Sequence, residues 1–535
     1  MFARRVLFFG IMAGLLFVAC RKGTPTTCEG WAKLLKSPAR SRDAIKNLGD
    51  LGTNCKAQVK DLEAIFDQSP FKEEILQTIR VIRAPEESVS ILTKALNVPH
   101  TAVLAAAVAE ELPTEKLKQP LLEVLTTDKA LPARENALKA LVAIEKGDMK
   151  AHEDLLIKLL RTDPDVQGIG VNALAAKLLG DMQSVKATND LIVAMFLRSQ
   201  RGGQVYTPVR KALAKIGKPA VAPLVAIATG KEEGFEGLFK DLRETAKKEG
   251  VYDWQWQDGP EVIQVLSDIA DKDAAPALAE SIGKPLNPPV GVDDRVLRLW
   301  QIAQQNRITM CMMGLWKVGD ASLIDKLKAV IMNPDNDAKQ RLDTATATAL
   351  LPDFVGVSAV LDVFRKSKDS RFRAPLVKPI SLGLDWAHLK EWEALVASEQ
   401  SELVNDRLKG ESPEAKEYIE TVKVLKDCAE GDTDCLVGKL KNGGMFERVK
   451  AAILLGSMQK GDKRKALAAL VEVYPTVDVN NVDLRRFILL SIYRLGDKNT
   501  VPDLQRLLKA DQDRKGAGYW VDEIETLIPA MARKG

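Results

Sequence analysis

Histidine is nearly missing from this chain: His100, His152 and His388 are the only three in 535 residues. Imidazole is the usual acid, base and metal ligand near neutral pH, so its scarcity argues against a histidine-rich centre. Aromatic residues are also few, at 5%, which leaves small aliphatics to fill a closely packed interior. Neither sign of charge dominates, with 77 Lys and Arg against 73 Asp and Glu. That balance excludes the strongly basic footprint of a typical nucleic-acid binder. The chain carries no G-x-x-x-x-G-K-[ST] phosphate loop, no H-E-x-x-H and no G-x-S-x-G elbow. No catalytic residue, metal ligand or cofactor site is therefore assigned, and an enzyme is not expected.

Apolar residues make up 46% and charged residues 28%, an ordinary balance for a globular interior and a wet surface. The N-terminus departs from it. Arg4 and Arg5 precede an apolar run from Val6 to Ala19, too short to span a bilayer comfortably but suited to a signal peptide. The run ends Phe17-Val18-Ala19-Cys20. This resembles the lipobox of bacterial lipoproteins, with Phe17 where that pattern usually has leucine. The resemblance implies cleavage after residue 19, acylation of Cys20 with diacylglycerol and palmitate-type chains, and a tether over residues 20–27. Arg21 follows Cys20 where an aspartate would favour inner-membrane retention, so an outer-membrane lipoprotein, periplasm-facing or at the cell surface, is expected. A plain secretory signal with an incidental cysteine is the alternative.

The clearest internal pattern lies at Pro208 to Gly230. Val209, Ala212, Leu213 and Ile216 stand at i, i+3, i+4 and i+7. Gly217 interrupts them, and Val221, Leu224, Val225 and Ala228 repeat the spacing after Pro219. Two amphipathic helices joined by a tight turn are predicted. Neither can bury its stripe alone. Similar phrases recur: Ile144 before Gly147-Asp148, Leu178 before Gly180-Asp181, Val318 before Gly319-Asp320, Leu495 before Gly496-Asp497. Ile144, Leu178 and Ile216 are spaced by 34 and 38 residues, a period of stacked helix pairs. In such a turn Gly ends one helix in a left-handed conformation, Asp caps the next, and Pro is tolerated in its first turn.

The phrases ALAKIGKPAVAPLVAIA at 212–228, LSDIADKDAAPALAESI at 266–282 and IYRLGDKNTVPDLQRLL at 492–508 resemble bacterial HEAT repeats of the phycobilin-lyase type. The resemblance implies an all-α fold, an α-solenoid of stacked antiparallel helix pairs following the lipoprotein signal peptide. It covers most of 84–509, with degenerate units between 340 and 430. Residues 28–83 are read as an N-terminal helical cap. Residues 510–535 are read as a C-terminal capping helix, with Trp520, Ile524, Leu527 and Ile528 on its apolar face. Some HEAT-like proteins, the deoxyhypusine hydroxylases, bind iron through repeated His-Glu pairs. The single pair here, His152-Glu153, is expected on a solvated helix face.

Five cysteines remain beyond Cys20. Cys311 lies on a helical stripe with Gly314, Leu315 and Val318 and is expected as a buried thiol. Cys28, Cys55, Cys428 and Cys435 allow three pairings. The simplest is local, Cys28–Cys55 and Cys428–Cys435, and loop closure then contributes roughly 3–4 and 2–3 kcal/mol. A metal site at the second pair is the rival, weakened by the lack of a nearby histidine.

Two insertions break the period, at 231–259 and 283–295. The first crowds Tyr252, Trp254 and Trp256 together in a chain with eight Trp. These are candidate partner-binding anchors, or else they fold back on their own repeat. The short charge runs Glu110-Glu111, Lys247-Lys248 and Asp293-Asp294 are expected as solvated helix ends or loops. The function these features imply is a lipid-anchored scaffold or adaptor that binds protein partners in the bacterial cell envelope. It would hold the membrane through its anchor, with no nucleic-acid partner and no small-molecule substrate. The alternatives are a structural component of an envelope assembly for secretion, motility or polysaccharide export, and an enzyme or ligand-binding protein using the insertion loops.

Overall fold

The structure is a computed structural model that describes residues 24–535 apart from 201, 232, 249–259 and 285–292. Cys20, Tyr252, Trp254 and Trp256, and with them the expected signal peptide, lie outside the described residues. Every regular element among the described residues is a helix, and the only bridge is an isolated one between Arg198 and Gln204. No described helix is long and apolar enough to cross a membrane. The fold is an α-solenoid of helix pairs, divided into two compact units: Met1–Ala175 with Ser199–Arg201, and Ala176–Arg198 with Gly202–Gly535.

In the first unit the helices Ser41–Leu51, Lys72–Ile82, Pro99–Glu111 and Arg134–Ile144 pack in succession as one layer. Val59–Phe66, Pro85–Leu96 and Lys118–Thr126 form the other. The disulfide Cys28–Cys55 ties the short helix Cys28–Ala32 to the turn Gly52–Gln58, with Cα atoms 5.3 Å apart. Helices this short are marginal alone, so the crosslink and the buried Trp31 hold the end of the stack in place.

In the second unit the repeat at Pro208 to Gly230 forms as its spacing implies. Helices Tyr206–Ile216 and Val221–Ala228 are joined by Gly217 (φ 76°) and the 3-10 turn Lys218–Ala220. Val209, Leu213 and Leu224 are fully buried, each contributing about 1.5–3 kcal/mol. The segment between 340 and 430, degenerate as sequence, is continuous helix pairs, including Val357–Lys366 and Ser370–Gly383.

The glycine turns correct one expectation. Gly319 and Gly496 are extended (φ −67° and −78°), not left-handed. Glycine is needed there for closeness: a Cβ would lie 2.6 Å from Leu351 Cδ2 at Gly319 and 2.7 Å from Thr500 Oγ1 at Gly496. The aspartates act as the spacing implies, Asp271, Asp320 and Asp497 each accepting from the amide two residues on.

The C-terminal helix Gly518–Ala532 covers the preceding helix Val501–Gln512, and Trp520, Ile524 and Leu527 are buried. Its other side packs on Tyr206–Ile216 and Pro260–Ile269, some 300 residues upstream, and Asp294–Val318 likewise meets Val482–Leu495. The helix run of the second unit therefore returns on itself. Arg533 Nη1 and Nη2 cap Ala214 O and Ile269 O at 2.7 and 2.9 Å, and Arg494 Nε donates to Trp316 O at 3.1 Å.

Candidate functional site

That return gives the second unit an inner face, built from successive helices of one layer. A cavity of about 430 Å³ lies on it, lined from Asp294–Val318, Ala338–Ala349, Ser370–Gly383, Pro413–Asp427, Met445–Gly456 and Val482–Leu495. Its walls are apolar at Met312, Trp316, Phe446 and Phe487. Trp316 stacks at a tilt on Phe487 with centroids 5.5 Å apart.

Polar capacity is left unspent among these walls. Pro375 and Pro379 stand at i and i+4 inside the helix Ser370–Gly383, and both face the cavity. Proline has no N–H, so the carbonyls of Arg371 and Pro375 lose their usual helical donors. Trp316 Nε1 and Arg486 Nε are buried donors that meet no acceptor in the protein. Lys378 and Glu417 pair at 2.9 Å across two lining helices. Burial raises the pKa of Asp343, against the opposing bond from Lys339 at 2.7 Å. Aromatic and thioether walls with free donors and acceptors suit a polypeptide segment, which has apolar side chains and amides to match.

The first unit carries a separate open groove of about 770 Å³ along the layer that includes Ser41–Leu51 and Lys72–Ile82. Its lining is charged. Arg42 pairs with Glu74 at 3.0 Å, and Val81 is exposed beside them.

Among the sequence-derived site residues, the cysteines are paired as the local reading has them. Cys428–Cys435 is a disulfide with Cα atoms 5.6 Å apart, closing the turn between Pro413–Asp427 and Thr433–Asn442, and Cys311 is a buried thiol. No group of three or more His, Cys, Asp or Glu that could hold a metal is found among the described residues. The insertion at 231–259 contains the helix Glu236–Lys248, with Phe235 and Phe239 buried and Phe239 edge-on to Phe196 at 6.1 Å. Asp293 and Asp294 are exposed at a helix end, as expected, and Asp293 caps the 25-residue helix Asp294–Val318.

His152 is also corrected. Its ring is only 10% exposed, and Nε2 sits 2.8 Å from Glu145 Oε1. Lys118 and then His152 hold the Glu145 carboxyl below its usual range. His152 is thus a structural partner and not part of a solvated face. His388 was assigned no role by sequence, yet it contacts both Asp385 and Ser358. The capping spacing Asp385-x-x-His388 was the one available signal; the Ser358 contact crosses 30 residues.

No protein-family model matches the chain, and no curated protein does. Among solved structures it is similar to the karyopherin Kap121p bound to the extreme C-terminus of the protein phosphatase Cdc14p. The identity is 10%, over 94% of this chain and 75% of that one, with a TM-score of 0.22.

Proposed function

We propose that this protein is a lipid-anchored repeat scaffold of the bacterial cell envelope that binds an extended segment of a partner protein in the inner cavity of its second unit. The observation that carries the reading is the union of aromatic and thioether walls with unspent backbone acceptors and side-chain donors. An extended peptide satisfies both, since its amides supply the missing donors and acceptors while alternate side chains enter the apolar recess. The anchor rests on the Arg4-Arg5 to Cys20 pattern. Two acyl signals give firmer attachment than one, since each buried methylene contributes about 0.8 kcal/mol.

The test is a crosslinked pulldown from membranes with the full chain and with Phe446→Asp. Partners captured by the wild type and lost with Phe446→Asp support the cavity as the binding site. Equal capture by both proteins overturns it. A stable stoichiometric complex instead identifies the chain as a fixed component of an envelope assembly. Mass spectrometry of the mature N-terminus tests the anchor, and an unmodified Cys20 removes it.

A further inference from the structure

The helix Val357–Lys366 is entered through an unusual turn. Asp353 and Phe354, neither of them glycine, have φ of 55° and 56°. Gly356 then backs onto the preceding helix so tightly that a Cβ would lie 1.9 Å from Thr348 O. Such conformations persist only where surrounding structure holds them, and they concentrate at functional sites. Ser358 follows in the first helical turn and is exposed. Ala359 N and Val360 N donate to Gly356 O at 3.1 and 3.3 Å. This leaves the N–H groups of Val357 and Ser358 at the head of the helix without an intrahelical acceptor, and the positive end of the helix dipole favours developing negative charge.

Two further side chains converge on this serine. His388 Nε2 lies 2.8 Å from Ser358 Oγ, and His388 Nδ1 lies 2.5 Å from Asp385 Oδ1. Asp385 is itself fixed, because it caps the helix Trp386–Ala397 by accepting from His388 N at 3.0 Å. An ionised carboxylate only accepts, so the imidazole proton sits on Nδ1 and the Nε2 lone pair faces the hydroxyl. The hydrogen bond to Asp385 raises the His388 pKa against the effect of burial, with Glu391 adding to it. Glu391 is paired with Arg365. Burial disfavours the charged form of Asp385, but the bonds from His388 outweigh it and hold the carboxyl below its usual range, with Lys450 adding least.

We propose that Ser358, His388 and Asp385 form a hydrolytic triad acting on carboxylic esters presented at the surface of the second unit. Ser358 Oγ bonds to the ester carbonyl carbon while His388 Nε2 takes the hydroxyl proton. The resulting oxyanion faces the first turn of Val357–Lys366. Collapse breaks the ester C–O bond, and His388 gives its proton to the departing alkoxide. Water then attacks the acyl-serine, His388 takes a proton from it and returns that proton to Ser358 Oγ, and the carboxylic acid leaves. Asp385 is a positioning residue that keeps the tautomer and stabilises the imidazolium. An open site excludes water poorly and stabilises an oxyanion less than an enclosed one, so it suits an alkoxide leaving group and not an amine.

The full chain is treated with diisopropyl fluorophosphate, and peptide mass spectrometry locates the adduct. Hydrolysis of p-nitrophenyl acetate is followed in parallel. The adduct is expected on Ser358, and H388Q is expected to slow its formation by at least about 100-fold, the lower end of general-base catalysis. Turnover is expected to be lost in S358A. Labelling should rise with pH through a midpoint above the ordinary imidazole value of 6.5, the direction set by Asp385. D385N should move that midpoint down, which a merely capping aspartate would not do. Labelling of Ser358 at the same rate in H388Q, or unchanged turnover in S358A, overturns the proposal. Circular dichroism of each variant separates loss of chemistry from loss of fold.

Discussion

Arg210 and Glu523 are 313 residues apart in sequence and 2.7 Å apart in the fold. Arg210 is buried, and its Nη2 also reaches Asp268 Oδ1 at 3.1 Å. This cluster joins Tyr206–Ile216, Pro260–Ile269 and the C-terminal helix. Removing the guanidinium leaves two buried carboxylates without a counter-charge, which typically costs about 3–5 kcal/mol. Arg210→Met is therefore expected to lower stability by that amount in urea titration. Replacing Arg210, Asp268 and Glu523 together by apolar residues should cost less. Equal losses in the single and triple variants would contradict this account.

The last residues act as a staple. Arg533 donates to Ala214 O and Ile269 O, the final carbonyl region of two helices from the opposite end of the unit. Unpaired buried carbonyls cost about 1–3 kcal/mol. Arg533→Ala should therefore speed amide hydrogen exchange in Gly518–Ala532 and at the ends of Tyr206–Ile216 and Pro260–Ile269. Protection confined to its wild-type pattern would show that apolar packing alone closes the unit.

Lys450 is fully buried, and its Nζ donates to Ser381 O, Leu382 O and Leu384 O. Burial pulls its pKa down to about 7, with Asp385 opposing. Because the folded value lies below the unfolded one, the unfolded chain binds more protons between them. This group's contribution to stability is therefore least below pH 7 and rises with pH toward the unfolded value of 10.5, by up to about 1.4 kcal/mol per pH unit. Urea titrations of wild type and Lys450→Met at pH 7 and pH 9 should differ in that direction. Lys450→Met should destabilise by about 3 kcal/mol at pH 7, since three carbonyls lose their donor, and by more at pH 9.

Reduction separates the two disulfides. Opening Cys28–Cys55, which spans 27 residues, should cost roughly 3–4 kcal/mol, and opening Cys428–Cys435, which spans 7, roughly 2–3 kcal/mol. Differential alkylation with peptide mapping reports which thiols are exposed. Alkylation of Cys28 or Cys55 in the unreduced protein would refute the pairing.

Helix pairs were legible wherever apolar residues kept the 3.6 period beside a turn signal, as at Val209 to Ala228. Local pairing of cysteines was legible for the same reason, since short loops favour near partners. Glycine at the turns was also legible, but its reason differed: at Gly319 and Gly496 it admits a neighbouring side chain, a fact about packing that local spacing does not encode. His152 was misread because its partner Glu145 lies across a turn, and the pattern of a solvated face ignores who sits opposite.

By itself the sequence determined the class of structure, because amphipathic stripes and helix caps are local and every repeat restates them. Tertiary structure alone decided that the second unit closes. Trp520, Ile524 and Leu527 announce an apolar face that suits a cap on one neighbour, whereas here the other side of the helix, with Glu523, packs on two more helices. Which of these forms depends on small rotations accumulated from pair to pair, and on whether Glu523 arrives opposite Arg210. The same accumulation sets six helices around one cavity. Contacts across tens to hundreds of residues have no periodic signature, so they exist only once the chain has folded.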